Sequence, residues 1–167
     1  MKKLILLGVV LVLVLAVSLP RVTQGYSFTT HTLWAGQNIP VGTVKVSNDC
    51  TNLLITYIMS GDWSLQDTHV AVEEVFSNIP ENNGNPTPGQ FRYHDSPWEN
   101  PLGTYTIPLV DSTDPNPHDW AGDDTLYIAT HGVVYGSGGH ETAWAGDKEF
   151  SGANWALYFE YTVQVCP

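Results

Sequence analysis

In run after run between Phe28 and Val165, residues alternate with a period of two, the spacing of strands that bury one face and wet the other. Phe28, Thr30, Thr32 and Trp34 point away from Thr29, His31, Leu33 and Ala35. Val44 and Val46 oppose Thr43, Lys45 and Ser47, and the stretch SNDCTN that follows reads as a turn. LLITYIMSG is apolar on both faces for part of its length, as a central strand is, and Val70, Val72 and Phe76 then oppose His69, Ala71 and Val75. The clearest pattern closes the chain: Trp155, Leu157, Phe159, Tyr161, Val163 and Val165 lie on one face, with Ala156, Tyr158, Glu160, Thr162 and Gln164 on the other.

Two breaks interrupt the series. SNIPENNGNPTPGQ, residues 77–90, is rich in Pro, Gly and Asn and is expected to be a long surface loop, and VDSTDPNPHDWAGDD leads into a further strand, LYIATHGVVYG. FRYH and GTYTIPL are short strand pieces, with Pro108 placing the second at an edge or a strand end. No amphipathic helix falls between strands. The pattern predicts an all-β fold of about eight strands, an antiparallel β-sandwich with Greek-key connections; a closed β-barrel is the alternative.

Ahead of the strands, Lys2 and Lys3 precede an unbroken apolar run from Leu4 to Val17, and Pro20 and Thr23-Gln24-Gly25 end it. The run is shorter than the roughly 20 residues of a spanning helix, so residues 1–25 are expected to be a signal peptide, with a retained N-terminal anchor as the alternative. Residues 26–167 then form one secreted domain, extracellular or at the cell surface, or periplasmic where the cell has an outer membrane. Removal of Lys2, Lys3 and Arg21 leaves three basic residues against seventeen carboxylates, a net charge of 3 − 17 = −14. Such a surface repels nucleic acid and anionic lipid and leaves cations, glycans, surface proteins and further copies of the chain as partners. Cys50 and Cys166, in an oxidising compartment, are expected to pair.

Thr-His occurs three times, at Thr30-His31, Thr68-His69 and Thr130-His131, each time inside an expected strand. If the strands carrying His69 and His131 are neighbours, the two imidazoles lie side by side with Asp67 or Glu141 in reach, ligand types that zinc accepts. The competing reading is a pair of neutral core histidines satisfied by hydrogen bonds. HETAW, residues 140–144, lacks the second histidine of a His-Glu-x-x-His zinc motif, because Trp144 stands in its place. Asp111, Asp114, Asn116, Asp119 and Asp123 form a loop dense in the hard oxygen ligands calcium takes, although Asp119 and Thr125 break the EF-hand register and turn chemistry uses the same residue types. Trp98 and Trp120 stand among polar turn residues, where an exposed ring could stack on a sugar, whereas Trp34, Trp144 and Trp155 fit the strand pattern as core.

The stretches AGQNIPVGTVKVSND, GNPTPGQF, ETAWAG and GANWALYFEY give the chain a resemblance to an uncharacterised group of secreted bacterial and archaeal β-rich domains. That resemblance implies an exported domain, standing alone or attached to larger extracellular proteins, and supplies no catalytic residues. The sequence therefore favours a non-enzymatic extracellular domain that binds or self-associates through the loops at 77–101 and 110–124. A carbohydrate-binding module using Trp98 and Trp120 is one alternative, and a metal-dependent hydrolase built on His69, His131 and Glu141 is another.

Overall fold

A computed structural model describes residues 27–96 and 103–165. The expected signal peptide, Trp98 and Cys166 lie outside the described residues. In chain order the strands are β1 (Phe28–Ala35), β2 (Ile39–Asn48), β3 (Asn52–Met59), β4 (Ser64–Glu73), β5 (Glu81–Asn82), β6 (Asn85–Pro86), β7 (Tyr93–Asp95), β8 (Thr104–Pro108), β9 (Val110–Asp111), β10 (His118–Asp119), β11 (Thr125–Gly136), β12 (Gly139–Ala145), β13 (Lys148–Glu149) and β14 (Leu157–Thr162). β5 with β6 and β9 with β10 make two small ribbons, and the other ten strands share one sheet. The strand pairs are antiparallel, so the all-β expectation holds.

Across the sheet the strands run β8, β3, β2, β1, β12, β11, β4, β7. β11 is the spine: β4 pairs with it along one side, while β14 and then β12 share the other. Period-two alternation turns one face of nearly every strand toward a common core. Val44 and Val46 of β2, Leu53 and Ile55 of β3, Val70 and Val72 of β4, Ile107 of β8, Leu126 and Ile128 of β11 and Phe159 of β14 meet in one cluster. The sheet curls around this cluster until β8 and β4 touch through side chains, the Tyr105 hydroxyl standing 2.6 Å from Thr68 Oγ1. One continuous curled sheet is nearer to the barrel alternative than to two separate layers. Both architectures produce the same alternation, which is why the pattern alone left them open.

β11 also buries its other face. Ala71 of β4, Ala129 of β11 and Trp144 of β12 form a second cluster with Ile79, Phe91, Phe150 and Ala156. Ile79 and Phe91 supply part of its cover, while most of the intervening segment lies at the surface as expected, anchored at these two points. Short 3-10 turns at Phe76–Asn78 and Pro88–Gln90 bracket the β5–β6 ribbon, and Gly84 O and Asn85 Oδ1 accept hydrogen bonds from Gly152 N and Asn154 N, each at 2.9 Å. The prolines serve tight turns in a segment that packs down on the sheet.

Candidate functional site

Two places gather chemically capable side chains. The first is a row of rings on the outer face of the sheet. His94 of β7 lies directly opposite His69 of β4, His69 opposite His131 of β11, and His131 opposite Trp144 of β12. Residues paired in this way share a face, so the ladder itself fixes the row. His69 and His131 bring their Nδ1 atoms to 3.4 Å, and the His69 and His94 rings stack with centroids 6.2 Å apart. Asp67 Oδ2 stands 3.8 Å from His69 Nε2. His131 is only 8 % exposed. Burial, with His69 beside it, pulls its pKa down to about 4, and burial lowers His69 as well, against the opposing pull of Asp67.

Asp67, His69 and His131 are thus brought together as the sequence suggested, but Glu141 is not. Glu141 pairs with Val134, three ladder positions from His131 and on the opposite face, and its carboxylate lies over Gly36. That corrects the four-residue metal set: an odd offset along a strand reverses the side-chain direction. Among the described residues no group of three His, Cys, Asp or Glu side chains is placed to hold a metal ion. His94 escaped the sequence reading because its strand is three residues long. A partner for β4 could have flagged it only if the pairing had been known.

The second place is a cleft of about 520 Å³ at the C-terminal end of β4, lined by Glu73, Glu74, Asn78, Arg92, Asn116 and His118 among others. Its walls are held from several directions. Arg92 pairs with the Asp114 carboxylate and donates to Asn116 O at 3.3 Å. His118 Nε2 donates to Pro108 O at 2.8 Å, which leaves Nδ1 as an acceptor with no hydrogen-bond partner among the described residues. Glu73 is half-buried, and burial raises its carboxyl pKa, with the Arg92 charge opposing and Glu74 reinforcing the shift. Glu73, Arg92 and His118 were not singled out from sequence, since a carboxylate at a strand end and a histidine in a Pro-rich loop look like ordinary surface.

The remaining expected sites come out differently. Trp120 is 4 % exposed, part of the main core, with the His118 ring stacked on it at 3.8 Å, so it offers no open platform for a sugar. Two oxygens of the expected calcium loop serve turns: Asp111 Oδ1 accepts from Thr113 N, Thr113 Oγ1 and Asp114 N, and Asp114 Oδ1 accepts from Asn116 N at 2.7 Å. Asp119 and Asp123 stay at the surface. Turn chemistry thus accounts for Asp111 and Asp114. Cys50 is not a free thiol.

Comparison with known protein families, characterised proteins and solved structures finds no match. Function rests on the geometry alone.

Proposed function

We propose that this chain is an exported, non-enzymatic binding domain whose ligand enters the cleft at the end of β4. The supporting observation is the cleft's preformed character. Its basic group, Arg92, is already engaged by Asp114, and Glu73 and Glu74 line the opposing strand end, so the recess offers chiefly acceptors. Such a recess suits a ligand bearing N–H or O–H donors, neutral or cationic, in keeping with the acidity of the chain. Glu73 is fixed by the ladder that pairs the end of β4 with Tyr127 and Ile128 of β11.

Amide chemical-shift mapping with oligosaccharides and with a lysine-rich peptide tests this reading. Shifts centred on Glu73, Asn78, Arg92 and His118, weakened by Glu73→Gln, are expected from one of the two ligand types. Shifts elsewhere, or none with either type, would overturn it.

A Cys50–Cys166 disulfide belongs to the same proposal. Gln164 is held against Asn48 by two hydrogen bonds, Gln164 N to Asn48 Oδ1 at 2.7 Å and Asn48 Nδ2 to Gln164 O at 3.1 Å. Each of these residues is two positions from one of the cysteines, which supports their pairing across the long chain separation.

A further inference from the structure

In β1, β2, β3 and β8 the positions between the buried ones point away from the core, and the register aligns them: Thr30, Lys45, Thr56 and Thr104 stand in one cross-strand row. The rows on either side place Phe28 and Ile58, 58 % and 47 % exposed, among further threonine, serine and leucine side chains. The central row is exposed or half-buried, uncovered by any other element among the described residues.

The composition of this face sets it apart. The chain carries seventeen carboxylates and a net charge of −11, yet the four strands contain no Asp or Glu. The cation on the face is drawn aside, since Lys45 Nζ lies over the ring of Phe28 at the start of β1, 4.3 Å from its centroid. What remains in the middle is methyl and hydroxyl, with Thr104 Oγ1 donating to Thr56 Oγ1 at 3.2 Å. Two molecules of like net charge repel most where their carboxylates come close, and least where a face holds none. A second copy of the chain therefore meets least resistance here, and a two-fold contact sets the same rows against each other. The extent of the face sets the strength of the contact. Four strands about 4.8 Å apart, each with three outward positions about 6.8 Å from one to the next, give a plan area on the order of 400 Å². A standard stable interface buries about 800 Å² on each partner, so dissociation is expected on the order of 0.1 mM.

We propose that the outer face of β1, β2, β3 and β8 is a two-fold self-association surface, on which a second copy of this chain packs face to face. It shares no residue with the cleft at the end of β4 and lies outside the loops at 77–101 and 110–124, so neither reading depends on the other.

Sedimentation equilibrium of the purified protein from about 10 µM to about 1 mM, a range that brackets the expected dissociation, tests the contact. A monomer–dimer equilibrium is expected, strengthened when salt rises from about 0.05 M to about 0.5 M, because screening removes residual repulsion between two acidic copies. Thr56→Glu puts two facing carboxylates into the contact and should weaken dimerisation about tenfold or more, whereas Ser137→Glu, which adds the same charge at the exposed β11–β12 turn, should leave it nearly unchanged. Amide shifts that move with protein concentration are expected to centre on Thr30, Thr43 and Thr56. A monomer at every concentration, as when another part of the chain covers the face, would overturn the proposal; so would a dimer that dissolves as salt rises, or one that Thr56→Glu leaves intact. If Thr56→Glu does not fold, Thr43→Glu on the neighbouring row takes its place, and the salt dependence and amide shifts of the parent stand as the independent check.

Discussion

Acidification should weaken the fold through His131, by an amount the structure sets. Its ring is held at a pKa of about 4 in the folded chain by burial and by His69, against 6.5 when unfolded. The unfolded chain therefore takes up the proton first. The contribution of His131 is complete above pH 6.5 and is lost as the pH falls from there to about 4. At about 1.4 kcal/mol for each pH unit, the whole loss is about 3 kcal/mol, of which about 2 kcal/mol is gone by pH 5. His31 and His69, also lowered by burial, act in the same direction, while Glu73, raised by burial, acts in the opposite one. Urea unfolding at pH 7.5, 6 and 5 in excess chelator, on the parent chain and on His131→Gln, isolates the His131 share. The parent should lose about 2 kcal/mol more than the variant over that range. Equal losses in the two proteins, or a His131 ring that titrates near 6.5 by NMR, would refute the reasoning.

Three further outcomes are expected. Asn48 is buried and uses both ends of its amide, accepting from the Tyr161 hydroxyl and Gln164 N and donating to Asp49 O and Gln164 O. Asn48→Ala should therefore cost about 3 kcal/mol in chemical denaturation, since it strands the buried Tyr161 hydroxyl and the Gln164 amide; a loss under about 0.5 kcal/mol would contradict that. Tyr57→Phe removes a hydroxyl that donates to His131 O at 2.9 Å inside the core and should lower stability by about 1 kcal/mol in the same measurement. The proposed pairing of Cys50 with Cys166 predicts an alkylation pattern by mass that changes with reductant and a loss of stability on reduction of up to about 4–5 kcal/mol; an alkylation pattern indifferent to reductant would overturn it.

The pattern of apolar positions made strands and their facing residues legible because burial of one sheet face imposes a period of two whatever the topology. The same pattern could not choose between layers and a curled sheet, since Val44, Leu53 and Val70 point inward in either case. Pairing of His69 with His131 was foreseeable only as a conditional, for register depends on which strands become neighbours. Glu141 shows the cost of missing register, because it is close to His131 along the β11–β12 hairpin and yet on the other face. Residues 77–90 lie at the surface as their Pro, Gly and Asn content indicates, but that content does not reveal the anchoring by Ile79 and Phe91, since the same residues mark turns in a free loop and in an anchored one. Trp120 failed in the same way, its polar neighbours in sequence concealing a ring that the fold carries into the core.

The pairing of β1 with β12 joins residues from opposite ends of the chain, Leu33 meeting Ala145 and Trp34 meeting Trp144. The β1–β2–β3 meander can assemble locally, but its free edge has no neighbour until the last third of the polypeptide has arrived. Folding dominated by such distant contacts is slow to begin, because loop closure must precede any reward. Completion of the sheet therefore waits until β12 has been made, and until then the β1 edge stays open.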